Sequence, residues 1–239
     1  MPSKDFDIEG IGKVTVYKRR GSRSLRLTLA PAGVRVSIPT WTPYVTGLNF
    51  AKSKQPWIIA NMPPQAALLE NGQAIGKTRR LTLVPDADTP KTKTSVRTNE
   101  VVVWFNPRMS NSDASVQQAA EQAGYRALKS ESVQLLTPRL NQLAAQYGFQ
   151  YHSLNFKRMK SRWGSCDHRQ NIVLNIFLVQ LNWECIDYVL LHELTHTQVL
   201  HHGPDFWEAM NRVLPGARNF KRTMRAYQPA LQTNSRSYD

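Results

Sequence analysis

Cysteine is nearly absent: the 239 residues carry only Cys166 and Cys185, and neither belongs to a CxxC pair. Two cysteines are too few for a disulfide scaffold, which excludes the cross-linked secreted classes and points to a reducing compartment. Long apolar runs are missing too. No stretch approaches the roughly eighteen apolar residues of a membrane span, and the opening MPSKDFDIEGIGKV has no apolar segment followed by a small-residue cleavage site. The expectation is a soluble, cytoplasmic protein without membrane contact. Internal repeats and low-complexity segments are lacking, which excludes solenoids and repeat arrays. Negative charge is scarce: 17 Asp and Glu face 31 Lys and Arg, a formal charge of +14. Such an excess suits an acidic partner such as nucleic acid, nucleotide or anionic lipid. The charge is spread along the chain, so a solvated basic surface accounts for it equally well. No recognised DNA-reading motif accompanies it.

What is present is a change of pattern near residue 110. At 239 residues and 41% hydrophobic content, the chain can bury the core of one large domain or two smaller ones. KVTVYKRR, SLRLTLA and VRVSIP alternate apolar and polar residues, which predicts strands, and Ala32-Gly33 predicts a hairpin turn. Val45, Leu48, Phe50, Trp57 and Ile58 predict a helical insertion from about Pro43 to Ala60. TRRLTLVP and EVVVWFNP resume the strands, with DADTPKTKT as the loop between them. From Ser112 to Gly148, Ala, Gln and Leu recur at helical spacing, as one long helix or two, with Pro138 at a kink or a fresh start. Two apolar runs around Asp167 to Gln170 predict a β-hairpin. Asn182 caps a further helix with an apolar stripe of Ile186, Val189, Leu190 and Leu194. Gly203-Pro204 ends it and opens another helix that stops near Pro215-Gly216. The expected fold class is α+β, with a β-rich region over 1–110 and a largely helical region with the hairpin over 111–239.

The chemistry concentrates in HELTHTQVLHH, residues 192–202, which holds four of the six histidines. Residues four apart share one helix face, so His192 and His196 can turn two imidazoles to one metal ion. Glu193 is rotated about a quarter turn away, outside the ligand set yet near enough to take a proton from water at the ion. A catalytic zinc takes three protein ligands and keeps one position open. His202 and His201 compete for third place. His202 is preferred because its position ten residues after His192 is the metzincin spacing, although Val199 stands where that group has glycine. A closed structural zinc with Cys166 or Cys185 as fourth ligand is the rival, but it leaves Glu193 without a role.

RWGSC, Arg162 to Cys166, reads first as a structural turn with Trp163 packed and Gly164 chosen for its backbone. The competing reading makes Arg162 a cation that stabilises a developing oxyanion. Phe206 and Trp207 read as core residues beneath the site, and His152 and His168 take no role. Together, RWGSC, NIVLN at Asn171 to Asn175, DYVLLHELTH at Asp187 to His196 and HGPDFW at His202 to Trp207 resemble the YgjP-like metallopeptidase family, which is related to the SprT-like proteases. The resemblance extends more weakly to QPWI at Gln55 to Ile58 and the first strands. It implies a zincin-type catalytic domain with His192, His196 and His202 on Zn²⁺ and Glu193 as general base. Peptide or protein hydrolysis is the expected activity, with NIVLN as the strand that aligns an extended substrate. SprT-like proteases act on DNA-attached proteins, which gives the charge one interpretation by analogy. The basic runs Lys18 to Arg20, Lys77 to Arg80 and Lys157, Arg158 and Lys160 are the candidate nucleic-acid contacts. The alternatives are a metal-dependent nucleotide phosphohydrolase and a nucleic-acid-binding module with a structural zinc.

Overall fold

Alternating apolar residues build the first sheet, in a computed structural model that describes residues 2–30, 33–61 and 68–231. Strands β1 (Ser3–Ile8), β2 (Gly12–Arg19), β3 (Arg26–Ala30) and β4 (Gly33–Pro39) lie in the order β1-β2-β4-β3. Val14 and Val16 of β2 and Val34, Val36 and Ile38 of β4 are buried, as the period of two requires. The expected helical insertion is a pair of helices, α1 (Tyr44–Ser53) and α2 (Gln55–Asn61). Ala51 and Ile58 carry these helices into the core of the sheet. The turn residue Ala32 lies outside the described residues, but the strands beside it are antiparallel, with Ala30 opposite Gly33.

The second sheet contains β5 (Ala74–Ile75), β6 (Arg79–Pro85), β7 (Lys93–Val96) and β8 (Glu100–Phe105), in the order β5-β6-β8-β7. The expected loop DADTPKTKT therefore ends inside a strand: Lys93 and Thr94 pair with Trp104 and Val103. Their polar side chains hid this, because β7 is an edge strand with no fully buried residue. The helical stretch is a single helix, α3 (Ala114–Tyr147), with Pro138 inside it and Gly148 as its left-handed cap. Val116, Ala120, Ala123, Ala127, Leu128, Leu136 and Leu140 form its buried stripe, mostly at spacings of three and four or their multiples.

The third sheet has β9 (Ser153–Lys157), β10 (Gly164–Cys166) and β11 (Asn171–Asn175) in the order β10-β11-β9. The hairpin is the antiparallel pair β10 and β11; β9, parallel to β11, is an addition to it. A 3₁₀ turn over Ile176–Gln180 leads to α4 (Trp183–Thr195), α5 (Pro204–Val213) and α6 (Ala217–Met224). The architecture is α+β, as expected. It separates into two compact units, Met1–Ala67 and Leu68–Asp239. That division falls at 67/68 and not at the pattern change near 110, because Leu81, Val101, Val103 and Phe105 of the second sheet join α3, β11 and α4 in one core. Among the described residues, no helix is long and apolar enough to cross a membrane.

Candidate metal centre

Helix α4 begins where Asn182 Oδ1 accepts a 3.0 Å hydrogen bond from the Cys185 amide, with Glu184 in the first turn beside the positive end of the helix dipole. Ile186, Val189, Leu190 and Leu194 are buried as expected, and Cys185 and Leu191 join them. Arg139 of α3 grips the Asp187 carboxylate with both Nε and Nη2, the Nε bond being 2.8 Å. These contacts fix the helix along its length and so fix the register of its last turn. Thr195 Oγ1 then donates to the Leu191 carbonyl at 2.7 Å and sits 3.2 Å from Met210 Sδ, tying that turn to α5.

At this end the Nε2 atoms of His192, His196 and His202 converge. They are separated by 3.2 Å (192 to 196), 3.2 Å (196 to 202) and 3.0 Å (202 to 192). A tetrahedral ion with metal–nitrogen bonds of about 2.0–2.1 Å sets its nitrogens about 3.3 Å apart, so the donor set fits such an ion. His196 Nδ1 lies 2.9 Å from the Val199 carbonyl oxygen, which can only accept. The proton therefore resides on Nδ1 and Nε2 presents its lone pair. Phe206 forms the floor: its ring centroid is 4.9, 4.5 and 4.8 Å from those of His192, His196 and His202.

Electrostatics keep the three imidazoles neutral. Burial, reinforced by the other two histidines and Lys221, pushes His192 down to about 3. Burial also lowers His196 and His202. Glu193 goes the other way: burial pushes it up to about 8, against the pull of the Arg162 cation. Glu193 is 4% exposed, and its Oε2 has no hydrogen-bond partner. An orphan acceptor of this kind beside a nitrogen cluster is costly unless a cation or a proton occupies the site.

Among the described residues, the three-histidine group contains no cysteine. His201 is not part of it; its Nδ1 accepts from the Gly203 amide at 3.2 Å, capping the turn into α5. His152 and His168 also stay outside the group. RWGSC is not simply a turn, because Gly164–Cys166 form β10. Gly164 is needed there for space and not for its backbone angles: a Cβ on it would lie 2.5 Å from Glu193 Oε1 and 2.7 Å from its Cγ. Sequence reasoning also passed over Asn175. Its buried amide donates 2.8 Å bonds to the carbonyls of Met159 and Arg162, holding the segment that leads into β10. The two asparagines bracketing NIVLN were the visible signal.

A buried carboxylate beside three converging imidazoles defines a metal-dependent hydrolase. The model of the YgjP-like metallopeptidase domain matches residues 23–227, and the chain belongs to that family. No curated protein matches the chain. Two solved structures are similar to part of it. The metallopeptidase zymogen of Pyrococcus abyssi abylysin is 23% identical with a TM-score of 0.35, covering 38% of this chain and 94% of that one. The metallopeptidase zymogen of Methanocaldococcus jannaschii jannalysin is 19% identical with a TM-score of 0.33, covering 36% and 90%.

Proposed function

We propose that the protein is a zinc-dependent peptidase in which His192, His196 and His202 hold the ion and Glu193 is the general base. The observation that carries this reading is the triangle of Nε2 atoms, 3.0–3.2 Å on a side, next to a carboxylate whose Oε2 is unpartnered. When bound, Zn²⁺ supplies a Lewis acid that lowers the pKa of water and polarises a carbonyl. Glu193 takes the proton of the attacking water on its carboxylate and delivers it to the leaving amine. A cation among the histidines reverses the effect of burial on Glu193 and returns it to the ionised form a base requires. Packing of Gly164 against the carboxylate fixes where that proton is received.

The strand that aligns substrate is β10. NIVLN, expected to do this, has no free edge, because β11 pairs with β10 on one side and β9 on the other. β10 is the sheet edge that touches Glu193, and an extended peptide can add to it through backbone hydrogen bonds. A cytoplasmic setting is part of the proposal, supported by two free cysteines.

The test begins with metal analysis of protein purified without added metal. About one zinc per chain is expected, lost in His192→Ala and weakened more by His202→Ala than by His201→Ala. Unfolded protein and nucleotides are then offered in parallel, with and without chelator. Chelator-sensitive proteolysis that Glu193→Gln abolishes while zinc content holds is the expected result. Absence of zinc both as purified and after reconstitution overturns the reading, as does turnover of nucleotides alone.

A further inference from the structure

Several cations of the basic runs have partners within the fold. Lys77 Nζ donates to the Leu181 carbonyl at 2.8 Å and lies over the Trp183 ring. Arg79 is buried 3.7 Å from Glu131, and Arg80 donates to the Gly72 carbonyl at 2.9 Å. Arg158 lies over Tyr125, and Lys18 binds the Thr40 carbonyl at 2.7 Å. These cations are occupied in holding the fold. Arg19 and Arg20 are different. Arg19 ends β2 and Arg20 opens the loop to β3, which also carries Arg23 and leads to Arg26.

We propose that this loop is a phosphate-binding site, taking the phosphate groups of a nucleic-acid backbone or of a free oligophosphate. Strand β4 lies between β2 and β3, with Arg19 opposite Pro39 on one flank and Arg26 opposite Ser37 on the other. Residues 20–25 must therefore cross the end of β4, and two strand spacings put the Arg19 and Arg26 backbones about 10 Å apart. Gly21, at φ +76°, makes the reversal after the Ser22 amide has bonded the Arg19 carbonyl. Beneath the crossing is a hollow of about 300 Å³ lined by Arg19, Arg20, Arg23 and Arg26 with Ser24 and Ser37. No carboxylate lines it, and among the described residues none of these four guanidinium groups makes an ion pair.

Four like charges around one concavity repel one another, and a multiply charged anion relieves that repulsion. Guanidinium forks match phosphate oxygens bidentately, and the Ser24 hydroxyl adds a neutral donor, while Ser37 spends its own on the Arg26 carbonyl. No aromatic or aliphatic side chain lines the hollow, so it offers phosphates a seat and bases no stacking surface. Recognition is then independent of base sequence. The site stands independently of the peptidase reading, since binding is read without turnover.

The test uses the full chain. A labelled 20-nucleotide single strand is titrated by fluorescence anisotropy over a salt series, and inorganic tripolyphosphate by calorimetry. Arg20→Gln/Arg23→Gln is compared with Lys52→Gln/Lys54→Gln, which removes the same charge outside the hollow. The arginine pair is expected to weaken binding at least tenfold, and on the single strand to lower the salt slope by roughly 1.4, about 0.7 per lost phosphate contact. The lysine pair leaves both unchanged. Loss confined to the oligonucleotide identifies a nucleic-acid ligand; loss confined to tripolyphosphate identifies a free oligophosphate. Equal loss in both variants, or no binding of either ligand to the wild type at low salt, overturns the site. Should the glutamine variant misfold, Arg23→Lys decides: it keeps the charge without the fork, so weaker binding at an unchanged slope supports the site and wild-type affinity overturns it.

Discussion

Gly164 carries the sharpest single-residue consequence. Its missing side chain leaves the space that Glu193 occupies, 2.5 Å from where a Cβ would stand. Gly164→Ala is expected to displace the carboxylate and lower kcat about 100-fold, the scale of a 1 Å misplacement, while zinc content by elemental analysis stays at the wild-type level. A second expectation concerns the metal-free protein. Glu193, raised to about 8 from an ordinary 4.5, binds a proton in the folded state that the unfolded chain has released. Its contribution is present below the unfolded value and lost as pH climbs through the folded one. His192, lowered to about 3, acts in the opposite sense and only below its ordinary 6.5. Between these limits, from 6.5 to 8, Glu193 dominates, and stability should fall by up to about 1.4 kcal/mol per pH unit. Denaturant titrations of chelated protein should show that slope, and Glu193→Gln should flatten it. The convergence of His192 and His196 was legible because helical periodicity alone brings positions 192 and 196 to one face. His202 was harder to separate from its neighbour, since only the fold of the turn shows that His201 caps the Gly203 amide. Gly164 was misread because a close approach across two distant segments leaves no local trace.

At the scale of elements, the last turn of α4 is held from outside the helix. Arg139 reaches Asp187 with a two-point grip, five residues before His192, and neither side chain is more than 30% exposed. Arg139→Ala is expected to destabilise the protein by about 1–2 kcal/mol, between the values for exposed and fully buried charged hydrogen bonds. Urea unfolding gives the shift, and zinc affinity at neutral pH should weaken with it because the two helical histidines lose their fixed register. Pro138, beside Arg139, left one helix and two helices equally open in the sequence. The continuous α3 resolves this, with its apolar stripe running on through Leu136 and Leu140. Elements with one clean face, such as β2, β4 and α4, were readable from pattern. Edge and short elements were not: β7 and β9 bury little of their own surface, so neither shows a clear alternation. The order β10-β11-β9 reversed the expected assignment of the substrate strand for the same reason, because the neighbours of a strand are decided by tertiary pairing.

Over the whole molecule, the change from strand to helix pattern near residue 110 marks a change of element type and not a boundary between cores. A chain beginning at 111 would strip β8 from α3 and expose Val116, Ala120, Ala123 and Ala127. It is expected to aggregate, while 68–239 should remain monodisperse in size-exclusion chromatography and bind zinc. The two apolar clusters, one from Ile8 to Ile58 and the other from Leu69 to Met224, share no residue. Heat should therefore melt the protein in two steps and not one. Unfolding enthalpy scales with length at about 0.7 kcal/mol per residue, so the units of 67 and 172 residues should give peaks of roughly 1 to 2.5 in area. The proposed zinc would add its binding free energy only to the unit with the three histidines. Scanning calorimetry with a chelator should move the larger peak downward and leave the smaller one in place, whereas tripolyphosphate should raise the smaller peak alone. One chain thus carries two separately addressable thermometers, each reporting the occupancy of its own ligand.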